Sequence, residues 1–162
     1  MATIQTTHPK PNTVQRQWFL VDAENVPLGR LATLSAGLLR GKGKATFNTH
    51  QDLGDGVIVI NAAKVALTGN KKTQKIDFRA SGYRGGQAYT PYGRLLAEKP
   101  ERAVELAVYG MLPKNRLRDR FMRRLKVNRA AEGAKVYSGA QAVDTKNPKL
   151  RSGGPVALAS GR

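Results

Sequence analysis

Residues 100–129 join a helical apolar stripe to a high density of positive charge, and this combination limits what the chain can fold into. Pro100 suits the first turn of a helix, and Pro113 ends that helix. Between residues 114 and 129 the chain has eight Lys and Arg against one acid. The apolar positions recur every three or four residues, which is the spacing of one helix face: Ala103, Val104, Ala107, Val108 and Met111. An apolar anchor attached to so cationic a segment predicts a folded domain whose partner is a polyanion.

The segment after Pro113 predicts a second helix. Asn115 can cap it, and Leu117, Phe121 and Leu125 then recur every four residues. The arginines lie largely off this apolar face, and like charges at such spacing destabilise an isolated helix by about 0.2–0.5 kcal/mol per pair. A phosphate backbone would compensate for this repulsion, because the arginine fork bonds phosphate in a bidentate way. We therefore interpret the segment as a nucleic-acid-binding surface and not merely a solvated face.

The rest of the chain alternates strand and helix patterns. The short apolar run Trp18–Val21 predicts a buried strand, and Val57–Ile60 is β-branched throughout, as in a strand covered on both faces. Between them, residues 28–40 have a helical apolar face, and Gly41 is a natural C-cap. Strand, helix, strand and further helices predict an α/β domain with a small, mainly parallel sheet. The apolar helix face consists of Leu28, Leu31, Ala32, Ser35, Leu38 and Leu39, and weaker strand candidates are Val65–Thr68 and Ile76–Arg79.

The distribution of charge assigns the basic surface to a single folded domain at residues 17–137. Residues 1–16 are polar and predict a flexible N-terminal arm, while the Ser-, Gly-, Pro- and Ala-rich residues 138–162 predict a flexible C-terminal tail. These tails carry only +2 and +3 of the net charge of +17. Such an excess opposes compaction unless a counter-charged partner is present. Nucleic acid is the best candidate, because each neutralised phosphate releases a counterion.

Several classes of protein are disfavoured by composition. The chain has no cysteine, which excludes disulfides, thiolate zinc sites and cysteine nucleophiles. No apolar run approaches the roughly 20 residues needed to span a bilayer, and no basic amphipathic helix is long enough to favour a membrane surface. Residues 1–17 lack both the apolar core of a signal peptide and the arginine-rich character of a transit peptide. We therefore expect a cytoplasmic location and no membrane partner.

The loop Gly41–Lys44 invites a comparison with phosphate-binding glycine loops, but it does not fit their patterns. A Walker loop needs a glycine five residues before its Gly-Lys pair and a Ser or Thr after it, where this chain has Ala36 and Gly43. Thr46 replaces the last glycine of the dinucleotide pattern, and the loop follows a helix and does not open one. A basic loop that touches RNA and a solvated helix-capping loop both remain open.

The segment Ser81–Gly86 is a second basic, glycine-rich element. Backbone amides of such a turn can approach phosphate closely, and Tyr83 can stack on an unpaired base. An ordinary surface loop with a half-buried tyrosine is equally consistent with these residues.

His50, Asp52 and Asp55 make a weak metal-ligand set. The only other histidine, His8, lies in the predicted arm, so no second imidazole is at hand. We interpret these residues as a turn before the strand at residues 57–60, with aspartate side chains bonding local backbone amides.

The order of these segments resembles the L-thirteen family of bacterial large-subunit ribosomal proteins over about residues 17–127. The most specific parts are Pro100–Val104 and Gly110–Asn115, followed by Leu125–Val127. The other matching segments are residues 21–23, 28–32, 39–42, 54–62, 68–69, 81–83 and 85–86.

The resemblance implies a three-layer α/β/α domain with a four-stranded sheet. It also implies a structural component of the large ribosomal subunit, engaged early in assembly, which binds large-subunit ribosomal RNA (rRNA) and touches neighbouring ribosomal proteins. Family members contact rRNA mainly through basic loops and helix surfaces. Catalysis, cofactors and small-molecule substrates are not expected.

The chain departs from the family pattern in two places. Ala80 stands where the family often has histidine, and Asn128–Tyr137 replaces the usual residues after Val127. The run Lys135–Gly139 is interpreted as a shifted version of the missing segment.

Charge and position together predict twelve RNA-binding residues. They are Lys42, Lys44, Lys71, Lys72, Arg84, Lys114, Arg116, Arg118, Arg120, Arg123, Arg124 and Lys126. Two alternative functions remain: an RNA-binding regulator that acts outside the ribosome, and an enzyme with a nucleotide pocket on the sheet. The failed glycine patterns and the absence of a convergent acid–base set argue against the enzyme.

Overall fold

The computed structural model describes residues 9–10, 14–131, 139–143 and 145. The elements in chain order are β1 (Trp18–Asp22), α1 (Leu28–Arg40), β2 (Gly56–Ile60), α2 (Lys71–Gln74), β3 (Ile76–Ala80), β4 (Gln87–Pro91), α3 (Tyr92–Glu98), α4 (Pro100–Met111), α5 (Arg118–Arg123), β5 (Leu125–Val127) and β6 (Gln141–Val143). Four strands form one sheet in the order β5-β2-β1-β6, and every neighbouring pair is parallel. The α/β class and the small, mainly parallel sheet predicted from the pattern are confirmed, as are the four strands that the family resemblance implies.

Strands β1 and β2 form the centre of the sheet because their apolar side chains are covered. All five residues of β2 are buried. Val57 and Val59 join the main hydrophobic core, while Ile58, which points to the other face of the strand, is also fully buried. Burial on both faces is what an unalternated β-branched run predicts.

Helices α1 and α4 pack against each other and supply much of the remaining core. Gly41 ends α1 with a φ of 73°, and the amides of Gly41 and Lys42 donate to the carbonyls of Leu38 and Gly37, which confirms the predicted C-cap. The apolar stripe of α4 is buried at Ala103, Val104 and Val108. Its last predicted member, Met111, is exposed. The buried residues of α1 are Leu28, Leu31, Ala32, Ser35, Ala36 and Leu39.

A separate antiparallel hairpin consists of β3 and β4. Ile76 lies opposite Pro91 at its base, and Ala80 lies opposite Gln87 near its turn. The hairpin continues into α3, whose first amide, from Tyr92, donates to the carbonyl of Lys75. The weak strand prediction at Ile76–Arg79 is confirmed, whereas its partner strand β4 was not predicted. The other weak candidate, Val65–Thr68, contributes only an isolated bridge between Ala66 and Pro27.

The second predicted helix is shorter than its apolar spacing indicates. Helix α5 ends at Arg123, and Leu125 begins β5, where it pairs with Val57. Phe121 is buried and Leu117 packs against the core, as the helical spacing predicts. The prediction that Leu125 belongs to the helix is wrong, because β2 offers a backbone edge whose hydrogen bonds β5 completes.

The sheet also extends beyond residue 137, where the sequence predicts a tail. Strand β6 pairs with β1, with Val143 opposite Val21, and Val143 is buried. The rest of the predicted arm and tail, apart from residues 9–10, 14–16, 139–140 and 145, lies outside the described residues, as does most of Lys135–Gly139. In the described part of the chain, no helix is long and apolar enough to cross a membrane.

Candidate nucleic-acid interface

Nine of the twelve predicted RNA-binding residues expose their side chains. Five lie in α5 or next to it, one in the loop after α1, two in α2 and one in the turn of the β3–β4 hairpin. They are Lys114, Arg116, Arg120, Arg123, Lys126, Lys42, Lys71, Lys72 and Arg84. Among the described residues, none of these nine forms an ion pair with an acid.

A turn at Asn115 and the buried ring of Phe121 position the exposed arginines of the α5 region. The side-chain oxygen of Asn115 accepts a hydrogen bond from the amide of Leu117 at 3.2 Å, which makes a local turn before the helix. The prediction that Asn115 caps the helix is wrong, because the N-cap is Leu117 and α5 has no side-chain cap. Phe121 is 3% exposed and fixes the helix against the core. Arg120 and Arg123, three residues apart, are therefore neighbours on the outer surface. The result is an exposed surface of like charges.

Arg118 differs from its neighbours because its guanidinium folds back onto the protein. Its Nε donates to the carbonyl of Pro113 at 3.0 Å, and its Nη2 lies 3.5 Å from the carbonyl of Leu112. The guanidinium carbon also lies 4.4 Å from the ring centre of Tyr109. Through these contacts, Arg118 connects α5 to the turn that follows α4.

Lys44 is bound on all sides by protein oxygens. Its Nζ donates to a carboxylate oxygen of Asp55 at 2.5 Å and to the carbonyls of Gln15 at 3.0 Å and Leu53 at 3.1 Å. A lysine ammonium has three donors, and here all three are used. The prediction that Lys44 contacts RNA stays untested, but its ammonium has no donor left for a phosphate oxygen in this conformation.

Arg124 forms a bidentate ion pair with Asp52. Its Nη1 and Nη2 each lie 2.5 Å from one carboxylate oxygen, and its Nε donates to the carbonyl of Asp55 at 3.3 Å. The side chains of Arg124 and Asp52 are only 13% and 11% exposed. Arg16 adds a longer contact of 3.5 Å to Asp52. Most of the arginine's donors are therefore directed inward.

Arg16, Lys44, Asp52, Asp55 and Arg124 make up what we call the ion-pair cluster. It joins three segments distant in sequence: the chain before β1, the loop between α1 and β2, and the end of α5. Asp55 also accepts a hydrogen bond from the amide of Gln17 at 3.0 Å. The expectation that Asp52 and Asp55 bond local backbone amides is wrong, because their partners are distant cations and a distant amide.

The sequence contains a weak signal for this cluster. Asp52 and Asp55 are two of only 11 acids in a strongly basic chain, and both follow the basic loop Gly41–Lys44. Their carboxylates compensate charge inside the fold. Within the described residues, no three His, Asp or Glu side chains are arranged to hold a metal ion.

The cations around the hairpin differ from those of the ion-pair cluster because none of Lys72, Lys75 and Arg84 is paired with an acid among the described residues. Partial burial and nearby Lys71 lower the pKa of Lys75, whose ammonium lies 4.2 Å from the ring centre of Tyr92. Burial raises the pKa of the Tyr92 phenol, and Asp77 raises it further. Lys75 thus belongs to the base of the hairpin, while Lys72 and Arg84 expose their charges.

Comparisons with known proteins agree with the arrangement of these segments. The family model described as "Ribosomal protein L13" matches residues 16–133. Large ribosomal subunit protein uL13 of Salinispora arenicola is 55% identical over 129 residues, which cover 80% of this chain and 88% of that relative. The protein of the same name from Beutenbergia cavernae is 57% identical with the same coverage. That of Natranaerobius thermophilus is 56% identical over 125 residues, covering 76% and 87%.

The matched region contains β1, α1, β2, the hairpin, α4, α5 and β5, and so nearly all of the described domain. It ends at residue 133, inside the segment Asn128–Tyr137 that the sequence pattern sets apart from the family. Identity above half, sustained over most of both chains, shows that this chain belongs to the ribosomal protein L13 family, whose members are structural proteins and not enzymes.

Proposed function

We propose that the protein is a structural constituent of the large ribosomal subunit, in the cytoplasm, that binds large-subunit rRNA and supports early assembly of the subunit. The observation that carries the proposal is that its cations fall into two groups, those paired with acids inside the fold and those exposed at the surface. Lys44 and Arg124 are neutralised by the buried Asp55 and the mostly buried Asp52, whereas nine predicted binders are exposed without an acidic partner among the described residues. Relatives named as large-subunit proteins support the same role.

The chemistry of binding follows from the exposed groups. Arginine guanidinium groups on α5 bond phosphate oxygens in a bidentate way, and lysines in the loops act as point charges. Neutralising the backbone releases counterions, which strengthens binding and removes the mutual repulsion of these cations. The ion-pair cluster holds the loop that carries Lys42 next to α5, so these two surfaces meet the RNA as one unit. We propose that neighbouring ribosomal proteins cover other parts of the domain.

Sucrose-gradient fractionation of a lysate tests the ribosomal assignment. We expect the protein in the large-subunit and whole-ribosome peaks, and in assembly intermediates that precede the mature large subunit. Washing with high salt before the gradient separates a resident component from a loosely bound cation. A protein found only at the top of the gradient, or with messenger RNA outside the ribosome, would contradict the proposal.

Replacing Arg116, Arg120 and Arg123 with alanine should weaken binding to purified large-subunit rRNA and flatten its salt dependence. Each lost phosphate contact lowers the slope of log K against log salt by about one, so the triple variant should lose up to about three. Titrations at several KCl concentrations measure the slope.

A control variant removes the same charge from paired positions. Lys64, Arg94 and Arg102 each contact a glutamate, at 2.8, 2.7 and 3.8 Å. Replacing these three with alanine should change the slope much less than the α5 variant does. Equal flattening by both variants would show that only total charge matters and that the α5 surface is not a specific contact.

A further inference from the structure

The β3–β4 hairpin exposes nearly all of its residues, which is unusual for a stable two-stranded sheet without a partner. A two-stranded hairpin alone is marginally stable in water and needs a third strand or a covering element. Here every residue of β3 and β4 is exposed except Asp77 and Thr90. Its contacts with the body lie near its base, where the amide of Tyr92 donates to the carbonyl of Lys75 and β4 contacts α2 and α3. The strands project from the domain with most of both faces uncovered.

One face of the hairpin is apolar and aromatic. Because side chains alternate along a strand, Ile76, Phe78 and Ala80 share a face with their cross-strand partners, of which Tyr89 lies opposite Phe78. Phe78 and Tyr89 are 53% and 60% exposed. Their ring centres are 5.3 Å apart with a tilt of 46°. We call Ile76, Phe78, Tyr89 and Pro91 the aromatic face.

Contacts within the hairpin order both of its faces. The phenol of Tyr89 donates a hydrogen bond of 2.8 Å to the side-chain oxygen of Gln87. On the opposite face, Arg79 pairs with Asp77 at 3.3 Å. The two rings lie directly opposite each other across the strands, and a pair of exposed rings is a surface on which flat groups can stack.

Charge around the hairpin favours RNA over protein as the partner. Residues 70–91 contain five Lys and Arg and a single acid, Asp77, whose carboxylate already bonds Arg79. Arg84 lies in the turn at one end, and Lys71 and Lys72 lie before β3 at the other. Five residues of strand span about 16 Å, so cations at both ends can reach the phosphates of one short nucleotide segment. Aromatic side chains with flanking cations are how proteins bind unpaired nucleotides.

We propose that the aromatic face stacks on unpaired bases of the RNA, with Phe78 and Tyr89 as the stacking residues and the cations at either end holding the backbone. This inference rests on the proposed rRNA binding and gives the hairpin a role distinct from that of α5. Contacts at α5 are electrostatic and depend on salt, whereas contacts at the aromatic face involve no charge. The two parts of the interface therefore differ in their response to salt.

Valine substitutions separate stacking from electrostatic binding. Phe78→Val and Tyr89→Val introduce β-branched side chains, which suit a strand as aromatic ones do, and remove one ring each without changing charge. Affinity for purified large-subunit rRNA should fall at least about fivefold for each ring lost. The slope of log K against log salt should stay as in the native chain. Thr90→Val, on the other face of β4, is the matched control and should leave both quantities unchanged.

The outcomes distinguish this inference from the function on which it rests. If the native chain does not bind the rRNA, the proposed function fails. If the native chain binds and both valine variants bind equally well, the proposed function stands and the stacking proposal is overturned. Loss of affinity accompanied by an equally large loss in Thr90→Val would also overturn it, because the strand and not the rings would then be responsible.

Ultraviolet crosslinking of intact large subunits gives a test that does not depend on the folding of variants. We expect nucleotide adducts on the peptide containing Phe78 or Tyr89, identified by mass spectrometry. Adducts confined to the α5 region would contradict stacking. Chemical crosslinks from residues of β3 and β4 to another ribosomal protein, without nucleotide adducts, would assign the face to a protein partner instead.

Discussion

Arg124→Ala should lower the free energy of unfolding by about 3 kcal/mol, because it leaves the Asp52 carboxylate without its principal partner in a mostly buried position. The Asp52 side chain is 11% exposed, and its other cation, Arg16, lies at 3.5 Å. Arg16 provides partial compensation, which places the expected loss at the lower end of the range for a broken buried ion pair. Urea unfolding of the RNA-free protein measures the change.

Arg123→Ala is the matched control for this variant. Arg123 adjoins Arg124 in the chain, but its side chain is exposed and makes no ion pair among the described residues. Its replacement should change stability by less than about 0.5 kcal/mol. A double-mutant cycle with Asp52→Asn should show strong coupling to Arg124 and none to Arg123. Equal stability of the Arg123 and Arg124 variants would show that the ion pair does not support the fold.

The sequence predicts the same role, RNA binding, for Arg123 and Arg124, but the structure places them in different environments. Charge density assigns both to the RNA surface, yet one is exposed and the other bonds a carboxylate 72 residues away. We expect Arg123→Ala to affect rRNA affinity more than stability, and Arg124→Ala to do the reverse. A basic segment of a folded protein thus contains cations of two kinds, and only their contacts separate them.

The local order of apolar residues was sufficient to predict those elements whose burial is uniform or strictly periodic. Strand β2 is apolar at every position and is buried at every position, and the predicted face of α1 is buried apart from half-buried Leu38. Gly41 adopts the left-handed conformation that its place after the helix predicts. In these cases each residue's own neighbours in sequence determine its environment.

Pairing between distant segments accounts for what the pattern did not predict. Leu125 has helical spacing from Phe121, but the amide of Val57 donates to the carbonyl of Arg124 and that of Asn128 to Val59, which makes a strand of the segment. Strand β6 has three residues, too few for a recognisable alternation, and its position depends on the edge of β1. The partners of Asp52 and Asp55 likewise come from other parts of the chain.

The ion-pair cluster also depends on a glycine whose importance sequence alone does not reveal. Gly54 lies between the two aspartates and is buried against the C-terminal end of α1. A Cβ atom built on Gly54 would lie 1.7 Å from the carbonyl oxygen of Leu39 and 2.5 Å from its carbonyl carbon. Both atoms belong to the backbone of a helix end capped by Gly41, so neither can move without loss of the cap or of the helix packing.

Gly54→Ala should therefore lower the free energy of unfolding by about 3 kcal/mol, at the upper end of the range for overpacking. The displaced loop would also move Asp55 away from Lys44 and Asp52 away from Arg124, so the loss of stability includes part of the ion-pair cluster. Thermal unfolding should show a decrease of about 10 °C in Tm for a domain of this size.

Gly43→Ala is the control from the same loop. A Cβ on Gly43 has no atom within 4 Å, and replacing an unconstrained glycine by alanine reduces the entropy of the unfolded chain. Its Tm should equal or slightly exceed that of the native protein. Comparable destabilisation by both substitutions would show that the loop tolerates no alanine at all, and that close approach to Leu39 is not the reason for glycine at position 54.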